Sequence, residues 1–103
     1  MPGAFEIRIA ASAMTSIQRA SRWWRKNRRA APQLFDRELN AALDLLEVHP
    51  WVGTRAMHPV HGEVRVVVLQ RSRYRVAYQL HEAAEQVWIV QVRHTSRHPT
   101  RGR

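Results

Sequence analysis

The sequence has no cysteine, only one lysine (Lys26) and no acidic residue between Glu6 and Asp36. Without cysteine there is no disulfide framework, and a zinc site would have to be built from histidine and carboxylate. Apolar runs are short as well. None exceeds four residues, as in Val66–Leu69, far below the roughly 20 needed for a membrane-spanning helix. Glu6 and Arg8 interrupt the apolar stretch near the N-terminus, so no signal-peptide core is expected. These absences lead us to expect a cytoplasmic protein without membrane contact.

What is present fits one domain. The chain has 103 residues, 45% of them hydrophobic, enough for a modest core and too many for a disordered chain. Residues 1–103 are read as a single domain, with about 98–103 as a mobile basic tail. Seventeen basic residues face eight acidic ones, a net charge of +9, and sixteen of the seventeen are arginine. The guanidinium fork pairs with phosphate or carboxylate and stacks on bases and aromatic rings. A GC-rich genome also favours arginine codons, so the sign of the charge is the firmer signal. It points to nucleic acid or an acidic protein as partner.

The periodicities alternate between strand and helix. Phe5, Ile7 and Ile9 alternate with Glu6 and Arg8, a short half-buried strand. Ala13, Ile17, Ala20 and Trp24 share one face of a helix expected over about Ser12–Arg29. Arg19, Arg22, Lys26 and Arg29 line another face, where like charges repel with no acidic neighbour. Pro32 opens a second helix with Phe35, Leu39, Ala42, Leu43 and Leu46 as its apolar stripe, and His49-Pro50 stops it. Trp51–Gly62 reads as a loop because of Gly53, Pro59 and Gly62. Three strands follow: Val64–Leu69, apolar on both faces apart from Arg65 and so central; Arg73–Leu80; and Val87–Val92. Short turns between them, Arg71–Arg73 and His81–Glu85, predict an antiparallel meander. The expected class is α+β, in the order β-α-α-β-β-β, with a helical hairpin packed on one face of an antiparallel sheet. The face bearing Tyr74, Val76, Tyr78 and Leu80 is the default one for the helices to cover, leaving Arg73 and Arg75 opposite.

WWRKNRRAAPQLFDRELNAALDLLEVHPWVG, VRVVVLQRSRYRVAYQL and VWIVQVRHTSRHP, in that order, resemble the RelE/ParE superfamily of type II toxin–antitoxin toxins. The resemblance runs from Phe5 to Pro99. It implies a small bacterial cytoplasmic toxin neutralised by a cognate antitoxin. RelE-like members cleave mRNA in the ribosome; ParE-like members poison DNA gyrase.

RNA cleavage through a 2′-hydroxyl needs a base, an acid and cations on the phosphate. Arg75, in YRVAY, matches the third-strand arginine of RelE-like enzymes, and Arg65 loosely matches a second-strand basic residue. Thr95 stands where their C-terminal arginine falls, with Arg97 two residues on, and no tyrosine follows Tyr78. His94 could act as the base instead, with Glu63 the nearest candidate carboxylate, or simply make a structural hydrogen bond at the sheet edge. The catalytic candidates are thus Arg75, His94, Arg97 and Arg65, and the depleted set makes the chain more similar to ParE-like members. Arg71, Arg73, Arg75, His94 and Arg97 form the expected target-binding surface. Arg19, Arg22, Trp23 and Lys26 form the expected antitoxin-binding surface, with Trp23 either an interface anchor or a cap on the core edge. His58 with His61 and His94 with His98 have metal-like spacing but no third ligand, so no metal or cofactor is expected. The target is expected to be DNA gyrase or, alternatively, the ribosome and mRNA. A non-catalytic nucleic-acid-binding module is the reading from another class.

Overall fold

The computed structural model describes residues 4–96; the expectations for Arg97, His98 and the tail lie outside them. The elements are β1 (Glu6–Ile9), α1 (Ala11–Asn27), α2 (Leu34–Val48), β2 (Thr54–His58), β3 (Gly62–Leu69), β4 (Tyr74–His81) and β5 (Gln86–His94). They form one five-stranded sheet in the order β1-β5-β4-β3-β2. The α+β class, the helical pair and the meander are as the patterns predict; β3 is an interior strand, but β4 holds the centre of the sheet. Two features go beyond them. β1 pairs parallel with β5, making the sheet mixed. The segment read as a loop also contains β2, paired antiparallel with β3. All five β2 residues are exposed or half-buried, so no apolar alternation marks the strand; its hydrogen bonds to β3 define it.

The helices cover the face that carries Tyr74, Val76 and Tyr78. Ala13, Ala20 and Trp24 of α1 and Phe35, Leu39 and Leu46 of α2 pack there against Val87, Ile89 and Val92. Each large side chain buried this way contributes roughly 1.5–3 kcal/mol. α2 starts at Leu34, after Pro32, because a turn in which Leu34 N–H donates to Ala31 O precedes it. The hairpin is fixed next to its connecting loop by Asp36, which accepts from Ser21 Oγ at 3.1 Å and pairs with Arg25 at 3.5 Å.

The opposite face is open but not wholly polar. Val64, Val66, Ala77 and Val90 form a second, small buried cluster, with Trp88 packed on it. Trp88 and Val90 therefore belong to this face rather than to the main core. Ordinary alternation with Val87 and Ile89 puts them there; a register shift follows, in which Ala77 pairs with Gln91 and Tyr78 with Ile89, leaving Val90 as an extra residue. Beyond this bulge the alternation of β5 is reversed.

Two polar devices hold the connections. Glu38 accepts from the backbone N–H groups of Arg71 (2.8 Å) and Ser72 (2.7 Å), which ties the β3–β4 turn to α2. Arg73 has a φ of 70° in that turn, so it precedes the strand instead of starting it. Tyr78 Oη donates to Pro50 O (2.7 Å) and accepts from Gly53 N–H (2.9 Å) in a buried setting.

A Cβ on Gly53 would lie 2.6 Å from Tyr78 Oη and 3.0 Å from Arg65 Cβ. Gly53→Ala should therefore cost about 1–3 kcal/mol by overpacking, seen as a lower denaturation midpoint. Partial burial pushes the Glu38 carboxyl up. The nearby Ser72 hydroxyl, the two N–H donors and the Arg71 charge outweigh it and hold the group below its ordinary value. A depressed carboxyl stabilises the fold above its unfolded pKa, and that stabilisation is lost as pH falls through the folded one. Glu38→Ala should cost about 1–2 kcal/mol at neutral pH, with the deficit from wild type shrinking as pH falls through the carboxylate range in pH-dependent melts.

Candidate functional site

Cross-strand register decides which candidates can meet. Arg65 pairs with Tyr78, and Val68 pairs with Arg75. Arg65 is therefore on the helix side of the sheet and Arg75 on the open side. Arg65 is also engaged: its Nη1 donates to Trp51 O and Gly53 O, both at 2.9 Å. It clamps the segment leaving α2 and cannot join Arg75 around one phosphate.

Arg75 has a different neighbour. It stands directly opposite Arg93, and both are exposed. Neither makes an ion pair with another described residue. Like charges facing each other across strands are destabilising unless an anion joins them. They flank an open trough of about 360 Å³ with Val64, Val66 and Ala77 at its base and Ala56, Met57 and Pro59 of the β2 hairpin along one side. Sequence reasoning missed Arg93. Alternation continued from Ile89 would send it to the helix side, and only the Val90 bulge turns it outward.

His94 lies on the helix side, paired with Tyr74. Its ring meets Tyr74 edge-on at 5.1 Å. Its Nδ1 accepts from Ser96 N–H at 3.2 Å, with Ser96 Oγ 3.1 Å away. This is the structural hydrogen bond at the strand end. Glu63, its proposed carboxylate partner, is at the far end of β3, bound to Arg55 at 2.7 Å. His94 and Tyr74 instead line a groove of about 370 Å³ with Arg19, Trp23 and Arg93.

That groove adjoins a shelf formed by Arg19, Arg22, Trp23, Lys26 and Asn27, so the four residues expected to meet an antitoxin do form one surface. Trp23 is half-buried and Trp24 buried. Arg28 stacks over both rings at 5.2 and 5.7 Å, holding a guanidinium on the aromatic faces. Arg71 and Arg73 are exposed at the β3–β4 turn, which reaches the end of β5 through Thr95 N–H and Arg73 O at 2.8 Å. The expected target-binding residues that are described thus gather at one end of the sheet but divide between its two faces.

His58 Nδ1 accepts from Val60 N–H (3.0 Å) and His61 N–H (3.2 Å), which closes the β2–β3 turn. Among the described residues, no three His, Asp or Glu side chains are grouped as a metal site, and no helix is long and apolar enough to cross a membrane.

Solved structures share this fold. Isolated E. coli RelE toxin aligns with a TM-score of 0.58 at 18% identity, covering 93% of this chain and 89% of that one. A double arginine-to-alanine mutant of E. coli RelE in the free state gives 0.58 at 17%, covering 90% and 85%. The intact E. coli RelBE toxin–antitoxin complex gives 0.50 at 17%, covering 91% and 100%. No curated protein sequence matches this chain. A family model described as the ParE toxin of the type II toxin–antitoxin system, parDE, matches residues 7–99. The chain therefore belongs to the ParE toxin family of type II toxin–antitoxin systems.

Proposed function

We propose that this toxin arrests bacterial growth in the cytoplasm by inhibiting DNA gyrase through a protein–protein contact, and that a cognate antitoxin neutralises it. The observation that carries this reading is the division of the nuclease candidates. Arg75 is on the open face, Arg65 is clamped to a loop on the other, and His94 is bound to Ser96 on the helix side. Acid–base cleavage of a phosphodiester needs its groups within hydrogen-bond reach of one reacting centre. Exposed arginines around the end of the sheet suit a protein contact, where arginine is a common hot spot.

A ribosome-dependent mRNA endoribonuclease is the second reading. One observation favours it: Arg75 and Arg93 face each other across strands on the open sheet face, and paired cations of this kind can hold a phosphodiester.

Purified toxin should block gyrase supercoiling and trap a cleavage complex. Primer extension on translated mRNA after induction should show no new cuts within codons. Unaffected supercoiling together with codon-internal cuts that vanish in Arg75→Ala would establish the second reading instead.

We assign the antitoxin contact to the α1 shelf, where an acidic segment would relieve the repulsion among Arg19, Arg22 and Lys26. Arg25 is already paired with Asp36, so Arg22 and Lys26 are the informative positions. Arg22→Glu with Lys26→Glu should weaken toxin–antitoxin affinity at least about tenfold, a loss of about 1.4 kcal/mol. Unchanged affinity by titration calorimetry would move the contact elsewhere.

A further inference from the structure

The end of the molecule formed by the C-terminus of α2 has the opposite chemistry. Among the described residues, four of the eight large apolar side chains left exposed lie within eight residues of chain: Leu45 (42%), Val48 (58%), Trp51 (50%) and Val52 (53%). Single exposed apolar residues are ordinary, but a contiguous group is not. Leu45 and Val48 follow each other at i, i+3 on the outer face of α2. The turn after the helix, where Val52 N–H donates to His49 O, carries Trp51 and Val52.

Carboxylates surround this group. Asp44 and Glu47 precede Leu45 and Val48 and are exposed. Glu82 accepts from Trp51 Nε1 at 3.2 Å. Phe5 N–H donates to Glu47 O and Glu6 N–H to Glu85 O, which brings the β4–β5 turn with Glu85 to the same end, while Glu6 itself pairs with Arg8. Four of the eight acidic residues of a +9 chain, Asp44, Glu47, Glu82 and Glu85, thus gather at this end. Asp44 and Glu47 also occupy the end of a helix whose last turn has no basic residue, where the dipole disfavours negative charge. Neither forms an ion pair with another described residue. The isolated fold explains neither these charges nor the apolar exposure.

We infer that this end of α2 is a second docking surface and that its occupant is a basic amphipathic helix of a partner protein. Such a helix would bury Leu45, Val48 and Val52 against its apolar stripe. Its flanking Lys or Arg would meet Asp44, Glu47 and Glu82, and would also face the favourable end of the α2 dipole. The carboxylate rim repels nucleic acid, anionic membranes and acidic protein segments, so this partner differs in chemistry from whatever binds the α1 shelf. The surface is separate from Arg75, Arg93 and His94, and the inference holds whichever target the toxin arrests.

Binding of a fluorescent Lys/Leu peptide of about 18 residues with helical apolar periodicity to the full-length toxin, read by anisotropy, tests this. The Lys/Leu peptide should bind saturably. A Glu/Leu peptide and a Lys/Ser peptide of the same length should bind at least about tenfold more weakly. Leu45→Ser with Val48→Ser should weaken the Lys/Leu peptide about tenfold, and Glu47→Lys should raise the Kd further while flattening its salt dependence. Both changes are at exposed positions, so an unchanged thermal midpoint shows that the fold is intact. Absence of saturable binding, equal binding of the Glu/Leu or Lys/Ser peptide, or an affinity unaffected by both variants overturns the inference. A self-dimer in sedimentation velocity that Leu45→Ser/Val48→Ser abolishes also overturns it and assigns the patch to a second copy of the chain.

Discussion

The buried hydroxyl of Tyr78 joins the sheet to the segment that leaves α2. It reaches from the middle of the sheet to Pro50 O and Gly53 N–H, while Arg65 from the adjacent strand holds Trp51 O and Gly53 O. Four backbone polar groups at the exit of α2 are thereby satisfied by two side chains. Buried or partly buried, such groups would each cost about 1–3 kcal/mol if left unmade. Burial holds the Tyr78 phenol above its ordinary pKa, against the pull of Gly53 N–H and the Arg65 charge, so it stays a donor at neutral pH. This clamp directs the chain into β2, and β2 in turn forms one wall of the open-face trough. It also commits Arg65 to structure, leaving Arg75 and Arg93 to face each other on the open side.

The acidic residues are used sparingly and locally. Asp36 secures the helical hairpin, Glu38 caps the β3–β4 turn, and Glu63 pairs with Arg55 across the first hairpin. Most of the others gather at the far end of α2. The α1 shelf and the end of the sheet are left cationic, and one small domain presents two surfaces of opposite sign. Within a Debye length of about 8 Å, local charge governs each surface more than the net +9 does.

The helices, the meander and the interior position of β3 were legible because their apolar residues repeat at the helical or strand period. β2 was not, because an edge strand exposed on both faces has no such period, and Gly53, Pro59 and Gly62 around it read as breakers. Arg75 was legible as an open-face cation from the alternation of Tyr74, Val76 and Tyr78. Trp23 and its cationic neighbours on α1 were legible too, since a helix face needs no tertiary information. The engagement of Arg65 was not legible, because its sequence position says nothing of the loop carbonyls that it meets.

The sequence by itself determined the α+β class, the family resemblance and the cationic face of α1, all of which rest on local periodicity and charge. Tertiary structure alone decided which arginines share a face. That choice depends on one extra residue, Val90, opposite the Ala77–Tyr78 step of β4. A bulge reverses every side chain beyond it and leaves no mark in a run of alternating valines. It turns Arg93 out to stand beside Arg75 and turns His94 in against Tyr74.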